Sequence, residues 1–268
     1  KEINSGIYCF NGKSLRESLD LLDNNNAQGE YYLTDTMKII KDRGSKVGAF
    51  VGATIEELMG VNSRVQLSQA EAIMRKRINK KHMDNGVTII NPENTYIESN
   101  VQIGKDTIIE PGVMLKGNTE IGEECIIGMN SSITNSKIGN FTEIKISTII
   151  DSAVGENTTV GPYAYLRPKS NVGNHVKIGD FVEVKNANIG DYSKASHLSY
   201  IGDADVGKDV NIGCGVVFVN YDGKNKFRSV VEDGAFIGSN SNLVAPVHIQ
   251  HKGYIATGST ITEDVPDG

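Results

Sequence analysis

The chain has 268 residues, 38% of them hydrophobic and none tryptophan, and a formal net charge of -6. That length suffices for one large domain or two modest ones. A negative balance without a compensating basic block argues against a general nucleic-acid binder.

The one basic run, "MRKRINKKH" at 74–82, falls in a helical pattern and reads as a solvated helix face. No apolar run approaches the ~20 residues a membrane span needs, and no signal-peptide pattern opens the chain. Cys9, Cys125 and Cys214 are odd in number and widely spaced. They fit a reducing compartment, hence the cytoplasm, better than a disulfide framework.

In chain order, "KEINSGIYCF" reads as a strand entered in mid-domain, which implies a longer parent protein. "SLRESLDLLD" places Leu15, Leu19 and Leu22 at helical spacing, with Ser14 and Glu17 as a capping box. "YLTDTMKIIKDRG" predicts a second helix stopped by Gly44, and "KVGAFVG" a strand bounded by glycine. "SQAEAIMRKRINKKHMDNG" predicts a longer helix with Ser68 as N-cap and Asn85-Gly86 as its stop. The organisation is therefore a small αβ region over 1–65, a linker helix over 66–86, and a region of different period over 87–268.

In that last region Ile97, Ile103, Ile109, Leu115, Ile121, Ile127 and Ile133 lie six apart. The count slips and resumes at Ile138, Ile144 and Ile150, then at Val154, Val160, Leu166, Val172, Ile178 and Val184. It returns once more over Val231, Ile237, Leu243, Ile249, Ile255 and Ile261. A period of six fits neither a helix nor a simple strand. It fits the hexapeptide repeat of a parallel β-helix, in which three short sides make a triangular coil of roughly 18 residues. Glycine often follows the inward residue, as in Ile103-Gly104 and Ile121-Gly122, where close backbone approach at a corner favours it. Between Phe218 and Val231 the segment "VNYDGKNKFRSV" does not fit one side, and Asp222-Gly223 is a turn signal. A loop therefore leaves the prism there, a common setting for binding chemistry.

Hexapeptide helices serve acyltransferases, accessory domains of nucleotidyltransferases, one class of carbonic anhydrase and structural solenoids, so fold alone does not choose. The five histidines narrow the field. His248 and His251 are three apart and face opposite ways in an extended chain, and His175 and His197 are not a whole number of coils apart. A zinc site within one chain is disfavoured, with ligands from a second subunit left open. His197, in "SKASHLSYIGDADVG", keeps different company: Glu183, Lys185, Tyr200, Asn211, Asn220 and Tyr221 all fall within about two and a half coils. Arg167 and Lys226 add cations suited to a phosphate. A histidine with an unperturbed pKa near ~6.5 suits general-base work. A hydrogen-bonded surface histidine on an inert scaffold is the bland alternative.

Along its whole length the chain resembles the bacterial bifunctional glucosamine-1-phosphate N-acetyltransferases and N-acetylglucosamine-1-phosphate uridylyltransferases. The resemblance rests on "EINSGIY", "EYYLTD", "GVNSRVQL", "GPYAYLRP", "GDFVEVKNA", "SKASHLSYIGDADVG", "VNIGCG", "NYDGKNKF" and "FIGSNSNLVAPV", in that order. It implies a mainly β fold, a left-handed parallel β-helix carrying the acetyltransferase, preceded by the α/β tail of a Rossmann-like nucleotidyltransferase domain. It further implies acetyl transfer from acetyl-CoA to glucosamine 1-phosphate. In the intact protein, magnesium-dependent uridylyl transfer follows, giving UDP-N-acetylglucosamine for cell-wall synthesis.

By the same resemblance His197 is the catalytic base; the neighbouring Glu183 is a candidate auxiliary, to orient the amine or to raise the basicity of His197. Arg167, Lys185, Tyr200, Asn211 and Lys226 hold the sugar phosphate. Cys214, Asn220, Tyr221, Ser239 and Thr257 line the acetyl-CoA path, although Cys214 and Thr257 stand where the family often has alanine. Asn4 and Asn62 match nucleotide-sugar positions, and Asn62 would share the magnesium ion, but the family's glycine-rich nucleotide loop, activating lysine and magnesium aspartate have no counterpart here. A homotrimer is implied as well. An acetyltransferase for another amine acceptor, or a non-catalytic β-helix scaffold, remains the alternative reading.

Overall fold

The computed structural model describes residues 4–52, 54 and 56–268. The chain divides into two parts, 1–70 and 71–268, at a boundary inside a long helix. The expected opening strand falls partly on residues 1–3, outside the described residues, and 4–10 form no strand.

In the first part, helix α1 (Gly12–Leu19) starts earlier than a cap at Ser14 would allow. Its cap is Asn11, whose Oδ1 accepts hydrogen bonds from the backbone of Lys13 and Ser14 at 3.1 and 3.2 Å. Asparagine is as good a cap as serine, and it comes first. Helix α2 (Asp35–Asp42) ends as expected, with Gly44 at φ +82°. The strand expected over 46–52 does not form, and Phe50 and Val51 are exposed. A strand needs a ladder partner, and the described residues of this part contain no other strand.

Helix α3 (Arg64–Asp84) also begins earlier than Ser68, where Ser63 Oγ accepts from Gln66 N at 3.1 Å. Its end is the expected one. Gly86, at φ +92°, turns the chain, and Val87 N donates back to His82 O. The last turns of α3 close the first coil. Ile78 packs on the aliphatic core, and Asn79 Nδ2 donates to the carbonyls of Pro92 and Thr95 at 2.8 and 3.0 Å. No helix among the described residues is long and apolar enough to cross a membrane.

From Thr88 on, the chain winds into three parallel sheets, of ten, ten and nine strands among the described residues. Each side of each coil contributes one short strand, so successive strands belong to successive faces. On the first face Ile109, Ile127, Ile144, Val160, Ile178, Ala195, Ile212 and Ile237 stack inward in register. The hexapeptide period is borne out with one correction. The inward residue of its coil is Ile149, fully buried and paired with Ile133 and Leu166, whereas Ile150 is half-exposed. Several sides are five residues long instead of six, so a strict count of six overshoots by one there.

Two further rules explain the corners. A Cβ on Gly104 would lie 2.6 Å from the backbone of Gly122, so the residue after the inward one must be small where coils approach. Buried hydroxyls recur at the start of many sides, and several bond across coils. Thr107 Oγ1 donates to Gly122 O at 2.8 Å, Ser193 Oγ to Gly207 O at 2.7 Å and Ser199 Oγ to Gly213 O at 3.1 Å. Cys125 takes one of these slots, where burial pushes its thiol pKa up.

The loop predicted between Phe218 and Val231 is present. Tyr221 and Lys226 form an antiparallel bridge, and Asp222 Oδ1 accepts from the backbone of Lys224 and Asn225 at 2.7 and 2.6 Å. Arg228 fastens its return to the prism. The guanidinium meets both carboxylate oxygens of Asp205 at 2.5 Å, and donates to Asn186 O and Ala204 O at 2.8 Å. A bidentate pair with two added carbonyl acceptors leaves the arginine little freedom.

Two outcomes follow. Ile149→Ala should destabilise the protein by about 2–5 kcal/mol in urea unfolding, and Ile150→Ala by about 1 kcal/mol or less; the reverse order would refute the register. Arg228→Ala should speed amide exchange at Phe227, whose N–H bonds Asn220 O, by about tenfold or more while Ile237 stays protected. Unchanged exchange at Phe227 would show that Arg228 does not hold the loop.

Candidate active site

His197 ends the strand Lys194–His197 at the edge where the first face turns into the second. Because Ala195, Ile212, Ile237 and Ile255 stack in register, the residues two positions on also stack. His197, Cys214, Ser239 and Thr257 therefore form one column along this edge, a coil apart. The column is backbone-bonded, with Asn240 N donating to Cys214 O at 2.7 Å and Gly258 N to Ser239 O at 2.8 Å. Side chains in the column run from half-buried Cys214 and Ser239 to exposed His197 and Thr257.

Below His197 in the same column is Asp180, its register partner in the sheet. His197 Nδ1 and Asp180 Oδ1 are 2.6 Å apart. The hydrogen bond to His197 holds the Asp180 carboxyl below the usual carboxylate range. Glu183, a candidate to orient the amine or to raise the basicity of His197, does not bond the ring: its Oε1 accepts from Arg167 Nη1 at 2.8 Å. That bond raises the Arg167 pKa further.

The cations gather on the second face. Tyr165, Glu183, Tyr200 and Val217 follow one another in its outward row, with Arg167 and Lys185 two positions beyond Tyr165 and Glu183. Lys185 Nζ lies 3.3 Å from Asp203 Oδ2, and both side chains are largely buried. Burial pushes the Asp203 carboxyl up, but hydrogen bonds from Asn186, Lys185 and Asn220 outweigh it and leave the group below its ordinary range. Lys226, carried by the loop, is lowered by the neighbouring Lys185 ammonium. Arg167, Lys185 and Lys226 thus present three cations against the two carboxylates of Glu183 and Asp203.

The remaining expected residues are dispersed differently. Asn211 lies on the first face, in register between Lys194 and Phe236, and not among the second-face cations. Asn220 is 7% exposed; its amide nitrogen bonds the Asp203 carboxylate and lies 3.4 Å from the Tyr200 hydroxyl. Tyr221 is exposed on the loop, its hydroxyl donating to Gly223 O at 2.7 Å. Asp180, Asp203 and Arg228 went unnoticed in the sequence. Asp180 and Asp203 had a usable signal, since each lies one 17-residue coil from a residue it bonds, His197 and Asn220 respectively.

Two surface concavities lie elsewhere. One, of about 400 Å³, is lined by Asp205, Gly207, Glu232 and His251, and the other, of about 630 Å³, by Asp84, Ile103, Lys105 and Glu123. Neither includes His197, whose site is an open edge. In the first part of the chain, Asn4 Nδ2 donates to the Tyr8 hydroxyl at 2.7 Å, and Asn62 N donates to Gln66 Oε1. Among the described residues no three His, Cys, Asp or Glu side chains converge as metal ligands. No such group forms at Asn62 among the described residues, where the resemblance implies a shared magnesium ion.

Two repeat families match the prism. Bacterial transferase hexapeptide (six repeats) covers residues 100–135 and 151–186, and the hexapeptide repeat of succinyl-transferase covers 229–263. The bifunctional protein GlmU of Clostridioides difficile (strain 630) is 80% identical over 267 residues, all of this chain and 58% of that protein. The bifunctional protein GlmU of Alkaliphilus metalliredigens (strain QYMF) is 60% identical over 268 residues, again all of this chain and 59% of that protein. Among solved structures, a UDP-N-acetylglucosamine acyltransferase from Campylobacter jejuni matches with a TM-score of 0.46 and 17% identity. It covers 59% of this chain and 67% of that one. The chain spans a little over half the length of the GlmU relatives it matches.

Proposed function

We propose that this chain transfers the acetyl group of acetyl-CoA to the 2-amino group of glucosamine 1-phosphate, with His197 as general base. The observation that carries the reading is His197 itself. Its Nδ1 is taken by Asp180, and its Nε2 has no protein partner among the described residues. His197 shares the corner column with Cys214, Ser239 and Thr257, at the edge where the cationic second face begins.

In this reading the neutral sugar amine attacks the thioester carbonyl carbon and the C–S bond breaks. The proton lost by the amine passes to His197 Nε2 and then to the departing CoA sulfur, so the base is regenerated. Backbone N–H groups along the corner column are the natural oxyanion donors. Arg167, Lys185 and Lys226 hold the phosphate. Crowding of the Lys185 and Lys226 ammoniums is relieved by an incoming dianion, and that binding energy orients the amine. Tyr200 lies within the same cluster, while Asn211 borders the site from the first face. The acetyl-CoA chain runs along Cys214, Ser239 and Thr257 toward Tyr221.

The proposal includes a homotrimer, in which a neighbouring prism closes the open edge beside His197. The exposed corner below it supports that arrangement, since Tyr163 and Phe181 stack at 5.3 Å there and Leu198 continues the apolar run.

His197→Ala should lower kcat for acetyl transfer by about 10²–10⁴-fold while acetyl-CoA affinity is kept. A thiol-release assay paired with calorimetry checks both, and near-wild-type turnover would contradict the base role. Arg167→Ala should raise KM for the sugar phosphate by about tenfold or more with a smaller effect on kcat, and an unchanged KM would remove it from the phosphate site.

A further inference from the structure

The strands Lys177–Asp180 and Lys194–His197 are the longest of the prism among the described residues, at four residues each where the others have two or three. The extra length carries the ladder as far as the pair Asp180 and His197. A close approach permits it, because a Cβ on Gly179 would lie 1.9 Å from Ser196 O. Glycine is therefore required beside Asp180, and the two side chains leave adjacent rungs as direct ladder partners. Their contact at 2.6 Å is short even for a charge-assisted hydrogen bond. Glu183 does not compete for the ring, since Arg167 engages it.

We propose that Asp180 is a positioning residue of the transfer reaction, holding His197 as the Nδ1–H tautomer so that Nε2 presents its lone pair to the acceptor amine. An ionised carboxylate only accepts hydrogen bonds, so the proton of the pair belongs to the ring nitrogen. The carboxyl is ionised at neutral pH, because its bond to His197 holds it below the ordinary range. The other ring nitrogen is then the acceptor, the form a general base requires. When His197 takes the proton of the attacking amine, the same carboxylate faces the imidazolium and stabilises it. This inference rests on the acetyl-transfer reading for its kinetic consequence, but not for the state of the ring.

The test uses the full chain, 15N-labelled, as wild type, Asp180→Asn and Asp180→Ala, with His197→Gln to assign the His197 ring signals. Two-bond 1H–15N spectra without substrate should show His197 as the Nδ1–H tautomer in the wild type. In Asp180→Ala the Nε2–H form should become the major one, with Asp180→Asn between the two. In parallel, kcat should fall about 10–100-fold in Asp180→Ala, with KM for both substrates within about twofold and an unchanged melting temperature. An unaltered tautomer, or kcat within about twofold of wild type in both variants, would overturn the proposal. So would a loss confined to KM and melting temperature, which is what a purely structural role produces. If the wild type fails to acetylate glucosamine 1-phosphate, the substrate reading falls, while the ring spectra still decide whether Asp180 sets the tautomer.

Discussion

The stacking of one inward aliphatic side chain on its counterpart a coil away sets the position of everything else in the prism. Ile178, Ala195, Ile212 and Ile237 are buried in register, and that register alone places Asp180, His197, Cys214 and Ser239 in one column. Cores of this kind leave their backbone little freedom, because neighbouring coils are close-packed and hydrogen-bonded along their length. Such a scaffold suits a reaction that needs two substrates aligned, since little reorganisation remains once they bind.

Departures from regular winding coincide with the proposed site. The strands bearing Asp180 and His197 are extended, and the one long excursion of the prism, from Phe218 to Val231, delivers Lys226 to the cations. Arg228 and Asp205 then pin that excursion to the third face. Asp203 ties the two parts together: it accepts from Asn186 and Asn220 and pairs with Lys185, so the phosphate-type cations and the loop base share one buried carboxylate. Buried acceptors with several donors are costly to disturb, which keeps the cation cluster in place when no anion is bound.

Much of this was legible in the sequence. The period of six announced the solenoid because every side must bury one side chain, and the break at "NYDGKNKF" announced the loop because no inward residue arrives on time. Ile150 was misread as inward, since sides of five and six residues look alike until the ladder is paired. The strand expected at 46–52 failed for want of a partner, which local pattern does not reveal. His197 stands out by its company, yet the carboxylate that bonds its ring is Asp180, while Glu183 accepts from Arg167. That distinction needs the true coil length, 17 residues here, and a count based on 18 misses it.

The central claim is that the edge around His197 acetylates an amino-sugar phosphate. The most direct measurement is acetyl-CoA consumption by the wild-type chain against a panel of amines: glucosamine 1-phosphate, glucosamine, glucosamine 6-phosphate and serine. Turnover with glucosamine 1-phosphate exceeding every other acceptor by at least about tenfold is the predicted result, because the three cations reward a phosphate placed where only that isomer puts it. Equal or better turnover with an acceptor lacking that phosphate, or none with any amine, would contradict the account.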